Sequence, residues 1–581
     1  MSVSLRSASV ISTWRVAVIA VVTVLAAGIG VALGGFLLTN RTPAVGAGAS
    51  YVPATAPFYV EVRLEPSTAQ DLALRELLGH FPPIDGVDLG QPLYVQLADR
   101  LDELLAEEGA GVSWSADVEP WFDGRAGMAL LDVPTQAMTG DMPMGEVAEP
   151  SMVVLLGVTD RALAEASIER LIAAAEETVA FTEQTHAGVT IRVAADEGAY
   201  ALTDDQLLIA PRADDVIIAL DAHADGTNAL GEAEENARLT DALPADWLAF
   251  GIYDFTEIMR ASLDAAGTES PEMTEALGRL IEDQPLRGAV ALTAAGDRVS
   301  VDAASIPPTG EFAPRNADRG LAHEIPGDTL YFADAGNIGP TLAAFIQPMK
   351  DAIATTPEGE EQVRTLEAAL GADLEELVSW VGDGALAVGY DGTEAYGGLV
   401  LVPTDRDEAE RRLEQLASFA ALAALDPASG VTVDDVTVDG VAVTTIRWED
   451  ASAEPDPMFP TPTGVSVQFA VTAERAYIGI GERFVGRVLE LDPADSLASE
   501  TRFTDAVVEM GGTSNTGVAW LDVTGVREAL EAAMGPMIAM MDPDGVYEAE
   551  IKPWLVPLDR FVSVTRLEDD LLVQRTALLV E

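Results

Sequence analysis

The chain has 581 residues, with 96 Asp+Glu against 33 Lys+Arg for a formal net charge of −63, and it contains no cysteine. A surface of that sign repels phosphates and anionic headgroups, which argues against nucleic-acid binding. The missing thiols exclude disulfides, thiolate metal centres and a cysteine nucleophile.

Residues 1–15 read as a short Ser-rich cytoplasmic tail. The run from Val16 to Asn40 is twenty-five residues without a charge. About 20 apolar residues span a ~30 Å hydrocarbon core, so the run predicts a transmembrane helix in contact with the lipid bilayer. Arg6 and Arg15 precede it and Arg41 follows. That bias favours a cytoplasmic N-terminus in a single-pass protein of the cell membrane, with the acidic bulk outside. Gly30 and Gly34 form a small-residue pair that can pack two membrane helices. Ala47-Gly48-Ala49 is a small-x-small counter-signal for cleavage, but it lies well beyond the apolar run. Residues 41–50 read as a Gly/Ala-rich linker.

The remainder is globular in composition, with 48% hydrophobic and 22% charged residues. Proline and then alternating apolar residues open it at residues 51–62, which reads as a turn feeding a strand. Helical periodicity follows at about 68–80 and 93–108. Strands are predicted near 126–133 and 152–158, a helix at about 160–176 and three short strands between about 179 and 210. A strand at 247–253 and a hairpin at about 288–304 complete the first half.

The second half repeats the first. Ile325-Pro326 to Phe332 matches the opening, and Trp380 to Gly384 matches Trp121 to Gly124. Thr404-Asp405-Arg406 matches Thr159-Asp160-Arg161, and Phe469 to Thr472 matches Tyr200 to Thr203. Thr504-Asp505 matches Thr240-Asp241. The predicted domains are therefore 51–307 and 322–581, joined by a Pro-rich linker at 308–321. The predicted class is α+β: an N-terminal transmembrane helix, then two tandem copies of an antiparallel-sheet domain with helices packed on the sheet.

The segments YVPATAPFYVEV (51–62), GVSWSADVEPWFDG (111–124) and GADLEELVSWVGDGALAV (371–388) resemble a bacterial family of single-pass extracytoplasmic proteins. That family is catalogued only as a domain of unknown function, numbered in the low three-thousands. The resemblance implies an anchored envelope protein with a repeated α+β domain, and it carries no activity or functional residues. Asp123 stands where the second copy has Gly382.

A residue kept in both copies is expected to serve the fold. Asp160 and Asp405 are expected to cap the helices that follow them, and Asp241 and Asp505 are read the same way. Trp121 and Trp380 are expected to be core anchors. Asp542, Asp544 and Glu548 are the calcium candidates, though the twelve-residue EF-hand loop is lacking. Gly479-Ile480-Gly481 resembles a phosphate turn without its spacing. Met138, Met142 and Met144 sit in an insertion at about 134–150, while Met534, Met537, Met540 and Met541 have the spacing of a buried helix face. The four histidines share no spacing, and no G-x-S-x-G occurs.

No catalytic residue, cofactor or firm metal site is assigned on this basis. The expected function is a membrane-anchored, non-enzymatic binding or scaffolding module of the envelope. The alternatives are a carrier of a lipid or other apolar ligand in a concave sheet face, and a hydrolase built on two carboxylates. Expected partners are an envelope protein or an apolar ligand, with divalent cations at the acidic surface.

Overall fold

The structure is a computed structural model that describes residues 46–581 apart from 108–112, 133–150, 175–179, 195–197, 257, 261–277, 279–285, 354–356, 427–428, 450–463 and 543–544. The chain divides into two compact units. One is Met1–Ala265 with Leu286–Ile306; the other is Ala266–Pro285 with Pro307–Glu581.

Among the described residues the first unit holds ten strands: β1 (Phe58–Arg63), β2 (Phe122–Asp132), β3 (Ser151–Val158), β4 (Phe181–His186), β5 (Val189–Ala194), β6 (Gly198–Leu202), β7 (Gln206–Ala210), β8 (Ala249–Asp254), β9 (Arg287–Ala295) and β10 (Arg298–Ser305). Their order across the sheet is β4-β5-β6-β7-β3-β2-β1-β8-β9-β10, every neighbour antiparallel.

Strand β1, at the centre of this sheet, is buried on both faces. Side chains alternate along a strand, so Val60 and Val62 share one face and Tyr59 and Glu61 the other. Val60 and Val62 join Trp121, Ala126 and Val154 in an apolar cluster, to which helix Arg161–Ala174 contributes Ala164 and Ile168. Tyr59 and Glu61 are equally buried, at 0% and 2% exposure. Their side is covered by a 3-10 turn, Ala47–Tyr51, against which helix Ala213–Asp225 packs. The Tyr51 ring stacks on His223 of that helix with centroids 3.9 Å apart. Gly48 and Ala49, in the stretch that reads as a cleavage signal, are buried in this turn.

The second unit holds β11 (Thr329–Ala335), β12 (Val381–Tyr390), β13 (Ala395–Pro403), β14 (Val431–Val438), β15 (Val441–Glu449), β16 (Gly464–Val471), β17 (Ala476–Ile480), β18 (Gly517–Asp522), β19 (Leu558–Glu568) and β20 (Leu571–Val580). Their order is β14-β15-β16-β17-β13-β12-β11-β18-β19-β20, again antiparallel. Its core centres on Phe332, Phe503 and Trp520, with Phe503 edge-on to both neighbours at 5.7 and 5.5 Å.

The expected fold class is corrected. The described chain holds twenty antiparallel strands with helices. Among the described residues, no helix is long and apolar enough to cross a membrane. The apolar run at 16–40 lies outside the described residues. Within the first unit the sheet is covered on both faces at β1, which carries a continuous buried run where the alternation suggested one dry face. The three strands expected between about 179 and 210 are four, β4 to β7.

Candidate functional site: a charged groove in the first unit

The two tryptophans lie at matching turns. Trp121 is 2% exposed and donates its indole N–H to the Asp117 carbonyl at 2.7 Å; Trp380 is 4% exposed and donates to the Leu377 carbonyl at 2.7 Å. Asp160 Oδ1 accepts from the amides of Ala162 and Leu163, both at 3.0 Å, and Asp405 Oδ1 from that of Glu408 at 3.1 Å. Both therefore satisfy amides that a helix start leaves open.

Asp241 and Asp505 sit elsewhere. Helix Glu234–Asp241 ends at the first and helix Thr501–Met510 carries the second in its middle. Their helices start earlier than the threonines suggest. Thr240 and Thr504 spend their hydroxyls on carbonyls of the preceding turn, Ala237 and Glu500.

Asp542 gives both oxygens to backbone amides, Oδ1 to Val546 at 2.9 Å and Oδ2 to Tyr547 at 2.6 Å. Glu548 pairs with Lys552 at 3.2 Å, and Asp544 lies outside the described residues. Among the described residues no three His, Asp or Glu converge on a metal position. Gly479 is used for packing: a Cβ there would meet Val485 and Phe484 at 3.1 and 3.2 Å. Met534 and Met540 are 37% and 68% exposed, so this helix does not bury the whole methionine face. The Met138, Met142 and Met144 insertion lies outside the described residues, as does most of the loop at 449–464.

What the sequence did not bring together is a groove between helix Arg161–Ala174 and strands β4, β5 and β6. It encloses about 240 Å³ and is lined by Arg161, Glu165 and Ile168 of the helix, Glu183 of β4, Thr190 and Arg192 of β5, and Tyr200 and Leu202 of β6. Helical spacing aligns Arg161, Glu165 and Ile168 on one side. Strand pairing then sets Arg192 opposite Tyr200.

Arg192 is the hub. It donates Nη1–H to the Tyr200 hydroxyl oxygen at 3.0 Å and Nε–H to Glu183 at 3.2 Å, with Glu169 at 3.9 Å. Arg161 pairs with Asp204 at 2.8 Å. Tyr200 is 4% exposed and stands edge-on to Phe181 at 5.7 Å. Burial pushes its hydroxyl above the usual tyrosine range, so it stays protonated and can donate. Glu165, Glu183 and Thr190 face solvent. The groove thus presents two guanidiniums, two carboxylates and two hydroxyls around a small apolar floor.

In the second unit Arg406 and Glu410 take the places of Arg161 and Glu165 and pair with each other at 3.2 Å, while the strand positions differ. There Thr444 pairs with Phe469 as Arg192 does with Tyr200. Phe469 sits in an apolar cluster with Ala409, Leu413 and Ile446. The match of Phe469 to Tyr200 was visible in the repeat, but Arg192 needed the strand register to be found.

A family model described as "Protein of unknown function (DUF3352)" matches residues 16–545. The chain belongs to this family. No curated protein matches the chain. No solved structure matches it either. Membership therefore brings no reaction to the groove, and its chemistry has to be read from its own residues.

Proposed function

We propose that the chain is a non-enzymatic binding module of the cell envelope, held at the cell membrane with its acidic bulk outside, and that the first-unit groove grips the recognised group. The observation that carries this reading is the asymmetry between units. Arg192 and Tyr200 form a hydrogen-bonded pair with a charge and a hydroxyl, where the matching register positions hold Thr444, bonded to Asp435, and Phe469 in an apolar cluster. A fold needs only the second arrangement, so the first is kept for what it binds.

The lining suits a polar ligand with an acceptor for Arg161 or Arg192 and a donor for Glu165 or Glu183. A lipid tail would take the Arg192–Glu183 and Arg161–Asp204 ion pairs out of water, which is costly. A two-carboxylate hydrolase needs one acid held protonated by its surroundings, and Glu165 and Glu183 both stand in solvent. Placement at the membrane rests on the uncharged run Val16–Asn40 and the arginines before it.

The test is native mass spectrometry of the full chain, gently purified from its host, beside the double variant Arg192→Thr, Tyr200→Phe. The expected result is a stoichiometric extra mass on the wild type that the variant loses while keeping its fold. An adduct retained by the variant, or a bare wild-type mass with no partner in crosslinking, overturns the reading.

A further inference from the structure

The geometry points to a proton-dependent cover in the first unit: the strap Gly46–Tyr51 closes over Glu61 while that carboxyl holds its proton, and loosens when the proton leaves.

Glu61 is 2% exposed. Its Oε2 accepts the Tyr59 hydroxyl at 2.5 Å, and its Oε1 has no hydrogen-bond partner among the described residues. An ionised carboxylate wants several donors, and a buried one without them is costly. The strap lies directly on this group. A Cβ at Gly46 would fall 1.9 Å from both carboxyl oxygens, and one at Gly48 would fall 2.6 Å from the Tyr59 hydroxyl. The strap therefore has no side chain where it crosses. A void of about 10 Å³ remains between Gly48, Tyr59, Glu61, Arg125 and Gln206, which is room for about one water.

The surrounding charges leave Glu61 without a counter-ion. Arg125 and Asp123 of β2 are paired with each other at 2.5 Å, and Arg63 of β1 is paired with Asp246 at 3.2 Å. From β3 and β7 the neighbours are Leu155 and Gln206, and the strap's titratable side chain is Tyr51, whose hydroxyl donates to Asp205 at 2.5 Å and whose ring stacks on His223. Burial pushes the Glu61 carboxyl above its usual range, although Tyr59 and Arg125 pull the other way.

The second unit offers a comparison. Asp334 occupies the β11 position that Glu61 holds in β1, since Phe332 faces Trp520 as Tyr59 faces Ile252. The residue thirteen before Phe332 is Arg319, and the residue thirteen before Tyr59 is Gly46. Arg319 sends its guanidinium to Asp334 at 3.4 Å, and Asp334 also accepts the Val518 amide at 2.9 Å. The first unit has exchanged that ion pair for a longer acid beneath a bare glycine.

A closed strap binds a proton that the open strap does not hold at the same pH. Raising the pH therefore favours opening, by up to ~tenfold per pH unit between the open-state and the closed-state titrations, and the effect levels off above the latter. The test is hydrogen–deuterium exchange of the full chain from mildly acid to mildly alkaline pH, corrected for intrinsic exchange. Protection of residues 46–51 is expected to fall with pH in the wild type and to stay level in Glu61→Gln. Equal profiles in both proteins, or a wild-type strap indifferent to pH, would overturn the inference. Should Glu61→Gln not fold, infrared difference spectra of the wild type decide. A protonated-carboxyl band must disappear over the range in which strap protection is lost, and its absence at low pH refutes the cover.

Discussion

Thr159 holds Trp121 from two sides: its amide and its hydroxyl both donate to the Trp121 carbonyl oxygen, at 2.7 and 2.9 Å. Thr404 does the same to Trp380, at 2.8 and 3.0 Å. The contact ties the turn before β2 to the end of β3, so the indole is set before it meets the core. Thr159→Val keeps the shape and the amide bond but loses the hydroxyl bond, at a cost of about 0.5–1.5 kcal/mol. Trp121→Ala also empties a buried volume, and about 3–5 kcal/mol is expected. Urea unfolding followed by circular dichroism measures both, and a Trp121→Ala loss under 1 kcal/mol would remove the residue from the core.

The caps separate residues that the sequence grouped. Asp160→Ala and Asp405→Ala each remove an acceptor from helix-start amides, and about 1 kcal/mol is expected from each. Asp241 and Asp505 are exposed and sit at a helix end and mid-helix, so their alanine variants should stay within about 0.5 kcal/mol of wild type. Thermal melts of the four variants test this, and equal losses in all four would contradict the assignment.

This contrast shows what sequence could deliver. Thr-Asp-Arg ahead of an apolar-periodic run names a helix start, because capping acts over three or four residues. Thr240 and Thr504 carry the same pair of letters inside helices, where local chemistry alone cannot distinguish a cap from a back-bonded hydroxyl. Most strand positions near 126–133, 152–158 and 247–253 were legible from alternation. Burial of both faces of β1 was not, since Glu61 and Arg63 gave the strand a polar side on paper. The groove was illegible for a related reason. Arg161, Arg192 and Tyr200 meet only through the antiparallel register of β5 and β6, which no local pattern encodes.

Arg319 and Asp334 predict a sharper loss. Arg319 has a side chain only 2% exposed, and besides Asp334 it is held by the carbonyls of Asn515 and Thr516. Asp334→Asn preserves the shape and an acceptor for the Val518 amide, but it leaves a buried guanidinium with Asp383 at 3.7 Å as its remaining acid. Removing one member of a buried pair costs about 3–5 kcal/mol. Glu61→Gln, by contrast, removes an acid without an ion-pair partner among the described residues. It should be near neutral at low pH and stabilising at higher pH. The sign follows from the raised Glu61 carboxyl: folded protein holds the proton longer, so wild-type stability declines as pH climbs from the ordinary carboxylate range through the folded value. Denaturant midpoints of both variants across pH check the pair, and a destabilised Glu61→Gln at alkaline pH would reverse the sign.

Net charge makes the last prediction. With −63 on 581 residues, folding concentrates like charge, and salt should relieve it. The opposing term is loss of surface ion pairs such as Arg161–Asp204 and Arg364–Glu361, whose partners are more than half exposed. Such pairs are worth about 0–1 kcal/mol each and are screened as well. Repulsion among 96 acids outweighs a few tens of weak pairs, so the melting temperature should rise as sodium chloride shortens the Debye length from ~30 Å at 0.01 M to ~8 Å at 0.15 M. Magnesium or calcium chloride at equal ionic strength separates two origins. A rise equal to that in sodium chloride marks a diffuse ionic atmosphere, and a larger one that saturates marks acids that hold a divalent ion directly. A melting temperature that falls with sodium chloride would mean that the arginine–carboxylate pairs, and not the net charge, govern the stability of this fold.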